Sequence, residues 1–329
     1  MKSRVLKFFG ILLLASILFG SLMGCGAKSG RAQKFRGWMA PNGKIKILST
    51  TAQIGDLVEE IGGDRMDYWV LIQGDLDPHG YELVKGDDEK LSRADRVFYN
   101  GLGLEHGASL LNTLQSHPAS FSVGGAILES YPQKILRKNQ LVDPHIWMDI
   151  SLWKKAVDPI AEQLIKLDPE GKEIYLFRAE RLKEKMDKAH QEILTMLQAV
   201  PAEKRYLVTS HDAFHYFTKI YLSDPGEGDI WIERFAAPEG LAPDGQLNPA
   251  DIAAIIQYLK DKKISVLFPE SNVSRDSIKK IVAAGRELGL NISICSEALY
   301  GDAMGSQGEL HYLDMMYHNA KILSYYLGE

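Results

Sequence analysis

DPEGKEIYLFRAERLKEKMDKAHQEILTMLQAVP, residues 168–201, is the stretch whose reading decides the fold. Asp168 stands where an N-cap is expected, and Pro169 suits the first helical position, where no N–H is needed. Nothing interrupts the pattern before Pro201. Tyr175, Ala179, Leu182, Met186, Ala189, Ile193 and Met196 are spaced 4-3-4-3-4-3, which makes one apolar stripe. The residues between them are strongly charged. The spacing predicts a helix of roughly 30 residues, about 45 Å long. A coiled-coil seam is the competing reading, but it would span only about four heptads, with globular patterns on both sides. A spine that joins two lobes fits better.

Before the spine, KIKILST (44–50), DYWVLI (67–72) and RVFYNG (96–101) read as strands, and QIGDLVEEIGG (53–63) as a helix stopped by glycine. After it, RYLVTS (205–210), ISVLFP (264–269) and NISICS (291–296) read as strands. PADIAAIIQYLK (249–260) and SRDSIKKIVAAGRELG (274–289) read as helices, with Asn248 and Ser274 as N-caps and Gly289 at a C-terminus. A last helix covers 313–327. The expected class is α/β: a lobe over 44–167, a linking helix over 168–200, a second lobe over 201–329, and a cleft between the lobes.

The N-terminus reads differently. Lys2, Arg4 and Lys7 precede an apolar run that ends in LMGC, residues 22–25. This is a signal peptide over 1–24 rather than part of the fold. LMGC resembles the bacterial lipobox, which makes Cys25 a lipidation site and residues 25–43 a flexible lipidated tether. Cys295, the other cysteine, then has no intramolecular partner and is expected to pack as a small buried hydrophobe. The chain has 329 residues and a net charge of −5, so nothing suggests nucleic-acid binding.

Chemistry concentrates at four positions. Asp-Pro-His occurs twice, in DLDPHGYEL (75–83) and DPHIWMD (143–149). Proline stiffens each turn, so each loop offers an imidazole, His79 or His145, on a constrained backbone. Asp77 and Asp143 could cap the turns or accept from the rings. His211 and Asp302 each follow a predicted strand of the second lobe. Ligands of open α/β sheets bind beyond the carboxyl ends of strands, so these groups could meet in the cleft. Three imidazoles and a carboxylate suit a divalent transition metal.

Taken in order, DPHGYEL, NGLGLE, DPHIWMD, TSHDAFHYF, FPESNVS and ALYGDAMG resemble the metal-binding lipoproteins of bacterial ABC importers, the zinc/manganese/iron family of the TroA and ZnuA type. The resemblance covers nearly the whole mature chain. It implies two α/β lobes joined by one long helix, with His79, His145, His211 and Asp302 as metal ligands. It also implies zinc, manganese or iron as cargo, an ABC permease as partner, and no catalysis. Such a protein is expected as a monomer outside the cytoplasmic membrane, held to it by lipid, on the periplasmic side in a two-membrane cell. The first lobe lacks the His- and acid-rich loop of many zinc-specific members; the comparable region holds only His106 and His117. His211 stands where many manganese-specific members have Glu, and His215 where members often have a smaller residue. The metal therefore stays open.

Other readings have their own signals. A lipid anchor suits a surface adhesin equally well. HDAFH (211–215) suggests the helical HExxH of zinc hydrolases, but Asp212 is shorter than the glutamate that acts there as base. Glu270 and Ser274 could face the cleft or be ordinary loop groups. Tyr81, Trp147, Phe214 and Tyr300 could exclude water from the site or simply pack. His106, His117 and His190 read as solvated, and His311 and His318 as structural or surface groups. If the imidazoles bind metal, affinity is expected to fall as they protonate toward about pH 5, and a stiff spine implies a small rearrangement on binding.

Overall fold

A computed structural model describes residues 26–138, 140–243, 247–305 and 310–328. The expected signal peptide, residues 1–24, and the expected lipidation site Cys25 lie outside the described residues. Those before Ile45 form a unit by themselves. The segment expected as a flexible tether is helical over Gly26–Met39. Its helix formers outweigh its glycines, Arg36 in the last turn suits the helix dipole, and Pro41 lies just beyond the end.

From Ile45 the chain is mixed α/β. β1 (Ile45–Ser49), β2 (Met66–Val70), β3 (Arg96–Tyr99) and β4 (Ser120–Ser122) form a parallel sheet in the order β2-β1-β3-β4. β1 is central, and its Ile47 and Leu48 are fully buried. Strand order reverses beside it, so the loops after β1, β2 and β3 share one edge. A two-residue hairpin, β5 (Arg137–Lys138) and β6 (Leu141–Val142), runs just ahead of the second Asp-Pro-His.

The spine is a 27-residue α-helix, Lys172–Gln198, about 40 Å long at 1.5 Å per residue. A 3₁₀ turn, Pro169–Gly171, leads into it. Asp168 does not cap it through its side chain. Its carboxylate accepts instead from Arg65 (2.6 and 3.0 Å) and from Tyr175 Oη (2.6 Å). The buried stripe is Tyr175, Ala179, Leu182, Met186, Ala189, Ile193 and Leu197. Leu197 takes the last place, and Met196 is only partly buried. A straight helix advances 3.6 residues per turn, so a strict heptad spacing drifts off its face within a few turns. The stripe packs against helices 52–62, 157–167 and Tyr312–Gly328.

Beyond the spine, β7 (Leu207–Val208) pairs with β8 (Phe235–Ala236), and β9 (Val266–Leu267) with β10 (Ser293–Ile294), all parallel. Phe268 N donates to Val208 O (2.8 Å) and links the two pairs. These strands are shorter than their apolar runs. β7 stops because the N–H groups of Ser210 and His211 donate to the Glu270 carboxylate instead of a ladder partner. Asn248 caps helix Pro249–Asp261 in a full capping box with Asp251. Ser274 Oγ accepts from Asp276 N at the start of Asp276–Glu287. Cys295 is a buried free thiol. No described helix is long and apolar enough to cross a membrane.

Candidate metal centre

Four loops bring His79, His145, His211 and Asp302 together. One donor atom from each lies within 4.8 Å of all the others. His79 Nε2 is 3.2 Å from His145 Nε2. Asp302 Oδ2 is 3.1 Å from His211 Nε2 and 3.5 Å from His79 Nε2, while Oδ1 is 3.3 Å from His145 Nε2. No member is more than 3% exposed.

Each loop is fixed by its own local chemistry. In the first Asp-Pro-His, Asp77 Oδ1 accepts from His79 N (2.9 Å). His79 O accepts from His106 N and Gly107 N (3.1 and 3.0 Å), which ties the turn to the loop after β3. Gly107 is needed there, since a Cβ would lie 2.0 Å from Tyr81 O. In the second, Asp143 Oδ1 accepts both the backbone N–H (3.0 Å) and the ring Nδ1–H (2.7 Å) of His145. Asn100 Nδ2 donates to Pro144 O (3.1 Å).

Glu270 governs His211. Its Oε1 holds the loop through Ser210 N and His211 N, and its Oε2 sits 2.7 Å from His211 Nδ1. Gly301 lets Glu270 approach, because a Cβ there would lie 2.4 Å from Oε2. Asp302 is held through its carbonyl by Gln53 Nε2 (2.9 Å) and through Oδ2 by Asn272 Nδ2 (3.2 Å). Trp147 Nε1 donates to Gly301 O (3.0 Å), and its ring lies 5.4 Å from that of His145.

The three imidazoles differ in charge. Burial pushes His79 down to about 3, against the pull of Asp302. Burial would lower His145 as well, but the charge and hydrogen bond of Asp143, with Asp302, lift it to about 9. His211 rises well above the ordinary imidazole range, because Glu270 and Asp302 outweigh its burial. Asp302 is drawn well below the usual carboxylate range, since His211 and His79 overcome its burial. Without a metal, then, His145 and His211 carry protons at neutral pH and His79 does not. His211 Nε2 and Asp302 Oδ1 are enclosed and make no well-formed hydrogen bond. Such atoms cost free energy unless a charge lies between them. A cation held by three nitrogens and a carboxylate fits the arrangement.

The other sequence candidates fall elsewhere. Asp212 pairs with Lys138 and turns away from the cluster. His215 faces Asp143 rather than the donors, so the HDAFH histidines do not share one centre. His106 is exposed, with its ring 5.6 Å from that of His79. His117 and His190, expected as solvated, are part-buried and bonded: His117 Nε2 to Leu91 O (3.2 Å), and His190 Nδ1 to Tyr221 Oη (3.0 Å). His311 pairs with Asp56, and His318 bonds Ala298 O. Of the aromatics, Trp147 lies against a donor ring, whereas Tyr81 bonds Asp87 and Tyr300 stacks on His318. Sequence reading missed Asn272, Gln53 and Asn100. Asn272 and Asn100 lie within the quoted segments FPESNVS and NGLGLE, the only signal that could have found them.

Residues 47–325 match the family described as zinc-uptake complex component A, periplasmic. The metal-binding protein YtgA of Chlamydia pneumoniae is 37% identical over 294 residues, covering 89% of this chain and 88% of that protein. The manganese-binding lipoprotein MntA of Bacillus subtilis is 32% identical over 319 residues, covering 95% and 97%. Among solved structures, Fe(III)-bound YtgA from Chlamydia trachomatis superposes with a TM-score of 0.82 at 34% identity, over 87% of this chain and 98% of that one. The fold, the buried donor cluster and these relatives agree, and the chain belongs to the zinc-uptake component A family of metal-binding, ABC-transporter substrate-binding proteins.

Proposed function

We propose that this protein captures one transition-metal cation (zinc, manganese or iron) outside the cytoplasmic membrane and hands it to an ABC permease. His79, His145, His211 and Asp302 are the ligands. The observation that carries this reading is the convergence of their donor atoms within 4.8 Å, all buried. The relatives named for manganese and for bound Fe(III) support the cargo class. Lipid on Cys25 holds a monomer at the membrane, on the periplasmic side where there are two membranes. The lobes are 44–167 and 201–329, linked by 168–200. We infer no catalysis: Asp212, the acid of HDAFH, pairs with Lys138 instead of facing the donors.

The test is the metal content of soluble protein beginning at Gly26, purified without chelators, with competition affinities for zinc, manganese and iron. About one equivalent is expected, largely lost in His211→Ala. Absence of affinity for all three ions would overturn the reading.

A further inference from the structure

We propose that His215 is a positioning residue for the cation site, holding the second oxygen of Asp143 and through it fixing the ring of His145. The inference rests on the ligand assignment above. Asp143 is buried, and its Oδ1 already accepts twice from His145. Its Oδ2 lies 3.3 Å from His215 Nδ1, an electrostatic contact short of a well-formed hydrogen bond, and neither atom has a hydrogen-bond partner among the described residues. The His215 ring is gripped edge-on by Phe235 (centroids 4.8 Å apart, 87°) and Trp231 (6.2 Å, 84°), so it cannot swing away without disturbing both. Tyr216, next in the chain, donates to Asp143 O (3.1 Å) and accepts from Leu136 N (2.9 Å). Asp143 is therefore held at its carboxylate and at its carbonyl by adjacent residues of one short helix, His215–Phe217.

The consequence lies in which chain segment does the holding. His211 and His215 are four residues apart, so the segment that supplies one ligand also orients another, which comes from before the spine. His145 is aimed only while that segment is in place. The first Asp-Pro-His shows no counterpart among the described residues: Asp77 accepts from backbone N–H groups of its own turn. Partners that orient a ligating histidine typically matter 10–100-fold in metal affinity, and an indirect partner belongs near the lower end, at about 10-fold.

Zinc competition titrations on soluble protein from Gly26 test this with paired variants. His215→Phe keeps a planar ring between Phe235 and Trp231 but removes Nδ1. His215→Asn returns an N–H near the same place. The proposal expects zinc affinity about 10-fold weaker in the Phe variant and within about threefold of wild type in the Asn variant. It also expects no further loss when His215→Phe is added to Asp143→Asn. Cobalt(II) absorption should shift in the Phe variant alone, because a mere packing role would leave the ligand field unchanged. Equal affinities and spectra for wild type and the Phe variant would overturn the role of His215 while leaving the cation site standing. A wild type that binds no zinc would overturn both, and additive losses in the double variant would overturn the route through Asp143.

Discussion

The two Asp-Pro-His turns share three residues and part company at the imidazole. In both, the aspartate accepts from the histidine N–H two residues on, at 2.9 and 3.0 Å, so the motif sets the backbone alike. Only Asp143 also takes its own histidine's ring. His79 is neutral, pushed by burial to about 3. His145 is just as buried, but Asp143 and Asp302 lift it to about 9. A short motif thus fixes where a ring sits, while the carboxylates around it decide what the ring carries.

The largest consequence is in pH dependence. If the three imidazoles hold the cation as proposed, metal must displace protons from His145 and His211 but none from His79. Affinity should rise with pH from about 6.5 toward 9, about tenfold per pH unit for the proton on His145, and more steeply where His211 also releases one. Competition titrations in about one-unit steps would measure the slope, and a flat profile would erase the distinction between the turns. Stability of the metal-free protein carries the same contrast. His145 has a raised value, so its contribution is complete below about pH 6.5 and is lost as pH rises through about 9. His79 has a lowered value, so its contribution is present above about pH 6.5 and is lost as pH falls toward about 3. Thermal melts across this range read both.

As ligands the two histidines should be equals. His79→Ala and His145→Ala should each weaken zinc binding by more than about 100-fold, beyond the range of supporting residues. If one variant binds nearly as wild type, that histidine is not a ligand. The aspartates should then separate. Asp143→Asn should cost about 10–100-fold in affinity, as loss of a ring partner does. Asp77→Asn should leave affinity within a few-fold and cost about 1 kcal/mol or less of stability, the worth of one turn hydrogen bond. Equal losses would mean that Asp77 also acts on its ring, and calorimetric affinity beside denaturant melts would distinguish the two.

Much of this was legible in the sequence, for reasons that can be named. The spine was readable because its stripe repeats over many turns, and its only misplaced member, Met196 for Leu197, reflects a period of 3.5 read where 3.6 applies. The convergence of His79, His145, His211 and Asp302 was readable because a duplicated motif and strand-end positions put them in one place. β4 and β8 were not, since runs of three and two residues carry no periodic signal. Asn272 and Gln53 were hidden because their amides reach Asp302 from elsewhere in the fold, one from a turn and one from helix 52–62, and spacing along the chain says nothing about such contacts. His117 and His190 looked solvated because polar neighbours in sequence do not reveal a backbone carbonyl or a tyrosine hydroxyl across the fold.

The donors are sealed: none is more than 3% exposed. An ion lodged among them would be shielded from water by the surrounding loops. Its residence time is then governed by how often the surrounding loops part, as well as by the strength of its bonds to nitrogen and oxygen. Cations of quite different affinity would share a common slow step on leaving. A receiver that pries those loops apart would hasten unloading without competing for a single coordination bond.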